Sequence, residues 1–322
     1  MRILYMGSPA PAVSPLAYLL DKEVHRFHVV GVVSQPAKPA GRGRGLIQPP
    51  VAQFAMERGL LVLQPTKASD PDFLRQLEAL QVDVIITCAY GQILSSAFLA
   101  IPKRATINIH PSALPQYRGA TPVPAALLAG DTETAVTVLF TVKQLDAGAL
   151  IVQQSFPIQE METAGALTHR LFASSGPLLS TALEKLLDPS FVGLPQDESQ
   201  VSLCQKMTKE QGCVDWQAPA ALLLQRYRAF SPWPGTYTYF RGKRVALEQL
   251  LPVDSAIASV EPAGTFSYVK ASRKLQVRCG DGKDLLIAQL KPEGGSSISA
   301  ESFWNGLRDK TSPLLFTSKE TL

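Results

Sequence analysis

The first half of the sequence alternates short apolar runs with amphipathic segments, and this alternation limits the folds that it can adopt. The runs are rich in Val and Ile and almost continuously apolar, as strands buried on both faces are: RILYMG, FHVVGVVS, VDVIITCAYG, ATINIH and AVTVLFTV. Between them lie segments with helical spacing, such as the one after Ser69, where Asp72 completes a capping-box pattern. Strands that alternate with helices predict an α/β fold with a doubly wound, mostly parallel sheet.

The loop after the first strand does not carry a dinucleotide fingerprint. Gly7 ends the strand, but GSPAPA lacks the second and third glycines that let a pyrophosphate approach a helix N-terminus. No Gly-Lys-Ser or Gly-Lys-Thr follows a strand, which argues against a Walker phosphate loop. We therefore do not expect NAD to be bound there.

A change of pattern late in the chain predicts a second domain. A helical pattern from Thr163 to Leu187 gives way to DPSFVGLPQDESQ, which is polar, turn-rich and without a period. A short helix, APAALLLQRYRAF, and five runs of strand type follow: TYTYF, RVALEQL, GTFSYV, KLQVRC and DLLIAQL. We predict a catalytic domain over 1–188, a linker over 189–206 and a C-terminal β-barrel of the OB-like type over 207–322.

Composition and charge argue against a membrane protein, a cysteine metal site and a disulfide-bonded framework. No apolar run reaches the roughly 18 to 20 residues that span a bilayer, and strand-like sequence begins at residue 1, so we expect a cytoplasmic protein and no membrane partner. The four cysteines have no C-x-x-C spacing, which favours neither a metal site nor a disulfide framework. Residues 1–203 hold 15 Lys and Arg against 16 Asp and Glu, whereas residues 204–322 hold 16 against 11. The basic excess is C-terminal.

Two polar side chains share one face of a predicted buried strand. In ATINIH, alternation points Asn108 and His110 the same way, at the carboxyl end, where open α/β sheets place their ligand crevice. The pattern also fits a capped strand end with a structural histidine. Asp146, which precedes Ala147-Gly148 after the run AVTVLFTV, is a third candidate, although an Asp before a glycine is commonly a turn residue.

An amide, an imidazole and a carboxylate can together hold a developing oxyanion and manage one proton. That chemistry needs no protein nucleophile. A serine hydrolase would carry G-x-S-x-G, which is missing, and no cysteine lies near His110 in the sequence. Ser112 is close to His110, but it fits loop structure better.

The segment NIHPSALPQYRGATP followed by LDAGALI resembles the folate-dependent formyltransferase family. The shared features are Asn-x-His, a Ser-Leu-Leu-Pro loop in which Ala113 here replaces the first Leu, an Arg-Gly pair and a later Asp. The resemblance implies a Rossmann-like formyltransferase fold, with Asn108, His110 and Asp146 as catalytic residues. It also implies 10-formyltetrahydrofolate as formyl donor, no metal, and a folate site formed by Tyr90, Gly91, Ile93, Leu94, Ser112, Leu114, Pro115 and Gly148.

Two further segments resemble the members of this family that formylate methionyl-initiator tRNA. SQPAKPAGRGRGLIQPP, from Ser34 to Pro50, is similar to a basic loop that these members insert, and YRAFSPWPGTY is similar to the start of their C-terminal domain. The resemblance implies tRNA contacts from Lys38, Arg42 and Arg44, and initiator methionyl-tRNA as the formyl acceptor. Without the family, the first segment would be interpreted as a solvated glycine-rich loop. We expect a monomer.

The sequence alone leaves three other functions open. The acceptor could be a small amine such as an amino-sugar nucleotide, although such a substrate gives no reason for the basic loop. Water could replace the amine, which would make the protein a hydrolase that releases formate. The protein could also bind RNA without catalysis, in which case nothing would require Asn108, His110 and Asp146 together.

Overall fold

The structure is a computed structural model that describes residues 1–40, 45–253, 261–310 and 314–318. The chain divides into two compact units. Unit 1 consists of Met1–Val123, Thr132–Ile158 and Ala166–Gln205. Unit 2 consists of Pro124–Asp131, Gln159–Gly165 and the described part of Lys206–Leu322. Residues 189–205 of the predicted linker are thus grouped with unit 1.

Residues 1–205 form short strands separated by helices. The strands are β1 (Arg2–Gly7), β2 (His28–Val33), β3 (Lys38–Ala40), β4 (Gly45–Ile47), β5 (Val62–Leu63), β6 (Val84–Cys88), β7 (Ala105–His110), β8 (Arg118–Gly119), β9 (Glu133–Phe140), β10 (Leu150–Pro157) and β11 (Leu203–Cys204). The helices are α1 (Val13–Lys22), α2 (Pro50–Glu57), α3 (Pro71–Ala79), α4 (Ser96–Leu99), α5 (Pro122–Ala129) and α6 (Ala164–Lys185).

The main sheet of unit 1 has the order β10-β9-β7-β6-β1-β2-β5. The pairings among β5, β2, β1, β6 and β7 are parallel, whereas β9 runs antiparallel to both of its neighbours. The predicted doubly wound, mostly parallel sheet is therefore confirmed. The chain leaves β1 toward β2 on one side and later returns to β6 on the other, so a ligand crevice is expected at the carboxyl ends of β1 and β6.

The first turn of α3 begins one residue later than the sequence indicated. We expected Ser69 to cap this helix, but the Asp70 carboxylate accepts hydrogen bonds from the backbone N–H groups of Asp72 (2.9 Å) and Phe73 (3.3 Å). Pro71 lacks an N–H group and suits the first helical position, which makes Asp70 the cap. The buried face of α3 carries Phe73 and Leu77.

The longest helix of the described chain, α6, has 22 residues and matches the predicted helical pattern between Thr163 and Leu187. It contains Pro177 and ends at Lys185.

In the ranges that the structure describes, no helix is both long enough and apolar enough to cross a membrane.

Unit 2 is built around an antiparallel sheet. After α7 (Ala220–Phe230) come β12 (Thr236–Phe240), β13 (Lys243–Pro252), β14 (Phe266–Val269), β15 (Lys274–Arg278), β16 (Asp284–Pro292), β17 (Ile298–Ser299) and α8 (Ala300–Asn305). The sheet order is β12-β13-β16-β15-β14, and β17 pairs with β16. Residues 314–318 pair with Tyr239 of β12 and with Thr265 beside β14, so they connect the two edges. The predicted C-terminal antiparallel domain is confirmed.

A cluster of aromatic rings fills the interior of unit 2. Phe316 is 1% exposed, and its ring centroid lies 4.2 Å from that of Phe266 and 5.9 Å from that of Phe240. Trp216 stacks on Phe316 at 6.0 Å and donates a hydrogen bond from Nε1 to the Thr238 hydroxyl. The segment that connects the sheet edges is thus anchored by its own buried ring.

Phe316→Ala should destabilise unit 2 by about 3–5 kcal/mol, because it removes a ring from a packed core. All three tryptophans, Trp216, Trp233 and Trp304, lie after residue 205, so their fluorescence during denaturant titration reports on this part of the chain. The control is Leu222→Ala, whose side chain is 41% exposed, with an expected cost of about 1 kcal/mol or less. Equal shifts for the two variants would contradict a role for Phe316 as anchor.

Candidate active site

Asn108 lies near the carboxyl end of β7 with its amide in a fixed orientation. Its Nδ2 is 3.3 Å from Asp146 Oδ1, and its Oδ1 is 2.9 Å from the Thr87 hydroxyl. A carboxylate only accepts hydrogen bonds, so the amide nitrogen faces Asp146 and the oxygen faces Thr87. Thr87 is the direct neighbour of Asn108 across the β6–β7 pairing. The sheet register therefore decides where Asn108 presents its N–H groups.

His110 follows on the same face of β7 and is almost fully buried. Its Nε2 lies 3.0 Å from the backbone carbonyl of Tyr117. Because a carbonyl cannot donate, Nε2 carries the hydrogen, which leaves Nδ1 as the nitrogen that faces Asp146. Nδ1 is 3.7 Å from Asp146 Oδ2, which is longer than a direct hydrogen bond but close enough for an ion pair.

Asp146 lies in the connection between β9 and β10 and contacts both side chains of the predicted pair. Its side chain is 10% exposed, and Oδ2 accepts a hydrogen bond of 2.9 Å from the backbone N–H of Gly119. The backbone of Asp146 has φ +50°, a left-handed conformation that is uncommon outside glycine. A Cβ at Gly148 would overlap the carbonyl oxygen of Phe140, so this position requires glycine. The structure thus brings Asn108, His110 and Asp146 together.

The loop after β7 is held by hydrogen bonds to its own backbone. The Ser112 hydroxyl donates to the Gln116 carbonyl (2.8 Å), and the Thr137 hydroxyl donates to the Ser112 carbonyl (2.7 Å). Ser112 and Leu114 are buried, and Pro115 is half-buried. The Ser112 hydroxyl therefore supports the loop in this structure. The assignment of Ser112, Leu114 and Pro115 to folate binding stays a prediction.

Four of the residues predicted at the folate site follow β6. Tyr90 is buried within a hydrophobic cluster, and burial raises the pKa of its hydroxyl to about 12, so it stays protonated at neutral pH. Gly91 has φ +84°, which lets the chain turn there. Ile93 is 94% exposed, whereas Leu94 packs against the cluster around Tyr90, and the assignment of both to folate binding stays a prediction.

Of the basic residues predicted to contact tRNA, Lys38 alone is described. It is exposed at the start of β3 and pairs with Ile47 of β4. Arg42 and Arg44 lie outside the described residues, so their role stays a prediction from the sequence.

Four residues near the site were missed by sequence reasoning. Thr87 carried a usable signal, since it is the last polar residue of the predicted strand VDVIITC and lies near its carboxyl end. Gln196 and Glu198 lie in the predicted linker, and the guanidinium of Arg118 donates to both of them. This hydrogen bonding holds the pKa of the Glu198 carboxyl below its usual range. The fourth residue, Cys204, carried no signal.

No cysteine lies near His110 in the sequence, but the fold brings Cys204 to the loop that His110 contacts. Pairing of β11 with β8 places Cys204 Sγ 3.4 Å from the Tyr117 carbonyl that His110 also contacts. Burial is the main cause that raises the pKa of this thiol, and the Asp146 charge adds to the rise. Cys204 is thus kept as a neutral thiol, which is unsuited to nucleophilic catalysis.

The chain matches two protein-family models. The model "Formyl transferase" matches residues 1–183, and the model "Formyl transferase, C-terminal domain" matches residues 206–308. Among solved structures, the fold is similar to that of HypX from Aquifex aeolicus in complex with tetrahydrofolic acid, with TM-score 0.63, 18% identity and coverage of 95% of this chain and 47% of that one. It is also similar to WlaRD, a sugar 3N-formyl transferase, with TM-score 0.65, 16% identity and coverage of 92% and 99%.

Curated relatives extend the likeness over nearly the whole sequence. A methionyl-tRNA formyltransferase of Anaeromyxobacter dehalogenans is 38% identical over 310 residues, covering 96% of this chain and 98% of the relative. Proteins of the same name from Geobacillus thermodenitrificans and Xanthomonas oryzae are 37% and 39% identical, covering 94% and 96% of this chain and 93% and 98% of their own. The chain therefore belongs to the formyl transferase family, as a near full-length homologue of its methionyl-tRNA formyltransferases.

Proposed function

We propose that the protein transfers the formyl group of 10-formyltetrahydrofolate to the α-amino group of methionyl-initiator tRNA. One observation carries the proposal: Asn108 Nδ2, Gly119 N and His110 Nδ1 converge on the buried carboxylate of Asp146. Two N–H donors, an imidazole nitrogen and one carboxylate acceptor suit attack by an amine on a carbonyl carbon. The full-length relatives support methionyl-tRNA as the acceptor over the amino-sugar alternative.

In the first step, the neutral amine nitrogen attacks the formyl carbon, forming a C–N bond while the carbonyl electron pair moves to oxygen. The oxyanion that develops needs hydrogen-bond donors fixed in advance. Asn108 supplies one through Nδ2, since Thr87 and Asp146 hold its amide in one orientation. His110 supplies the second from Nδ1 when its imidazole is cationic, because Nε2 is occupied by the Tyr117 carbonyl.

In the second step, the attacking nitrogen loses a proton and the oxyanion collapses, which breaks the bond between the formyl carbon and N10 of the folate. The N10 nitrogen leaves as tetrahydrofolate after it takes up the proton that the amine gave up, which Asp146 or a water molecule passes on. Asp146 accepts the amine proton, directly or through a water molecule, and its charge stabilises the cationic imidazole at 3.7 Å. The transfer runs directly from nitrogen to nitrogen, without a protein nucleophile.

The substrates are assigned to separate parts of the chain. We place the pterin at the carboxyl ends of β1 and β6, beside Tyr90, Gly91 and Gly148, because ligands of open α/β sheets lie at this switch point. Lys38, Arg42 and Arg44 neutralise tRNA phosphates. Asn108, His110 and Asp146 come from one chain, so a monomer in the cytoplasm, where translation begins, would suffice.

The defining assay compares acceptors. Purified protein with 10-formyltetrahydrofolate should formylate methionyl-initiator tRNA well and elongator methionyl-tRNA poorly. An amino-sugar nucleotide should give no product, and no formate should be released when the amine acceptor is omitted. Formylation of the sugar alone, or acceptor-independent formate, would contradict the proposal and favour one of the two alternatives.

Asp146→Asn should lower turnover by about 10²- to 10⁴-fold, because the amide cannot accept the amine proton or stabilise a cationic imidazole. Circular dichroism and melting temperature should stay close to those of the wild type. The matched control is Asp72→Asn on α3, where an exposed carboxylate pairs with Arg75 and turnover should not change. Near-normal turnover of Asp146→Asn would exclude the proposed role.

Arg42→Ala should raise KM for methionyl-tRNA several-fold and leave KM for the folate unchanged. The loss of one phosphate contact should also reduce the slope of log affinity against log salt by about one. Arg75→Ala, a surface change on α3, is the control and should alter neither value. An equal loss for tRNA and folate would instead indicate damage to the whole fold.

A further inference from the structure

The Asp146 turn is held in a left-handed backbone conformation that residues other than glycine seldom adopt. Asp146 has φ +50°, and the left-handed region is costly for a residue with a side chain. Such a turn persists only where neighbouring groups hold it. Gly119 N fixes the carboxylate of Asp146, but the backbone carbonyls of the turn need donors of their own.

Gln196 supplies these donors. Its Nε2 lies 2.8 Å from the Asp146 carbonyl and 2.8 Å from the Gly148 carbonyl, so both amide hydrogens are used within the turn. Its Oε1 accepts a hydrogen bond of 3.0 Å from Arg118 Nε. Because an arginine side chain donates and cannot accept, the orientation of the Gln196 amide is fixed.

Arg118 connects this amide to the other side of the site. Its side chain is 4% exposed, and its NH2 group lies 2.7 Å from Glu198 Oε1. The residue that follows Arg118 is Gly119, whose N–H binds the Asp146 carboxylate. Asp146 is therefore held through its backbone by Gln196 and through its side chain by Gly119, and Arg118 joins the two supports.

The segment that carries Gln196 is fastened to unit 1 at both ends. The backbones of Leu194 and Leu150 exchange hydrogen bonds of 2.8 and 2.7 Å. The Ser202 hydroxyl accepts from the backbone N–H of Tyr117 at 2.9 Å, and β11 pairs with β8 directly afterwards. The position of Gln196 is thus set independently of its own side chain.

We propose that Gln196 is a positioning residue for the formyl transfer reaction, which acts by holding Asp146 at its distance from His110 and Asn108. The inference rests on the proposed function, since it gives Gln196 a role only through Asp146. Gln196 is not a catalytic residue, because its amide is used by the Asp146 turn and Arg118. A displacement of about 1 Å in a catalytic group costs up to about 10²-fold in rate.

Gln196→Met keeps the length of the side chain and removes both donors. We expect kcat for methionyl-initiator tRNA formylation to fall about 10- to 100-fold, with KM for both substrates within about 3-fold of the wild type. The matched control is Gln200→Met in the same segment, where the exposed amide contacts Asp197 and not the turn. Its kcat should stay unchanged, and unchanged kcat in Gln196→Met would overturn the inference.

A double-mutant cycle separates positioning from general stability. In the Asp146→Asn background, Gln196→Met should cause little further loss of the residual turnover, because the group that it positions is already inactive. An equal loss in both backgrounds would show that Gln196 acts independently of Asp146 and would overturn the proposal. Gln196→Asn, which keeps the amide but shortens it by one methylene, should retain the wild-type melting temperature and still lose turnover.

The same experiments distinguish the two ways of failing. If Asp146→Asn loses turnover and Gln196→Met does not, the positioning role fails and the proposed function stands. If Asp146→Asn keeps near-normal turnover, the proposed mechanism fails, and the role of Gln196 fails with it.

Discussion

The buried carboxylate of Asp146 is the interaction on which the arrangement of the site depends. A carboxylate that is 10% exposed is costly unless donors replace the water it has lost. Here the donors are the amide of Asn108 and the backbone N–H of Gly119, and the imidazole Nδ1 of His110 lies 3.7 Å from the carboxylate. Asn108 and His110 lie on one face of β7, Gly119 follows in the loop after that strand, and Asp146 itself lies in the turn before β10. One charge therefore aligns the strand β7, the loop after it and the turn before β10.

The connection after the antiparallel strand β9 carries Asp146 back to this group. Because β9 runs opposite to β7, its carboxyl end lies away from the carboxyl end of β7, and the chain must return before β10 begins. The hydrogen bond from Phe140 N to the Ala149 carbonyl and the close approach at Gly148 define that return. Asp146 lies within it, next to residues that are nearly forty positions earlier in the chain. A strictly parallel sheet would need a longer crossover at this point.

Much of the fold followed from local pattern. Strand β7 coincides with the predicted ATINIH run, and alternation along it correctly placed Asn108 and His110 on one face. The cap of α3 is Asp70 and not Ser69, because Pro71 suits the first helical position and moves the start of the helix by one residue. The family resemblance assigns Ile93 to the folate site, and its side chain is 94% exposed. That assignment stays a prediction, because hydrophobicity alone does not show what a loop residue contacts.

The sequence alone predicted the order of strands and helices along the chain of unit 1 and the shared face of Asn108 and His110. Both follow from the two-residue repeat of a strand and the 3.6-residue repeat of a helix. Local sequence was not sufficient for Gln196, Arg118 or Cys204. These side chains reach the Asp146 turn or the His110 loop through pairings between residues about fifty to ninety positions apart. Such contacts depend on how the segment after α6 folds back on unit 1. A polar, aperiodic stretch carries no local pattern from which that path could be derived.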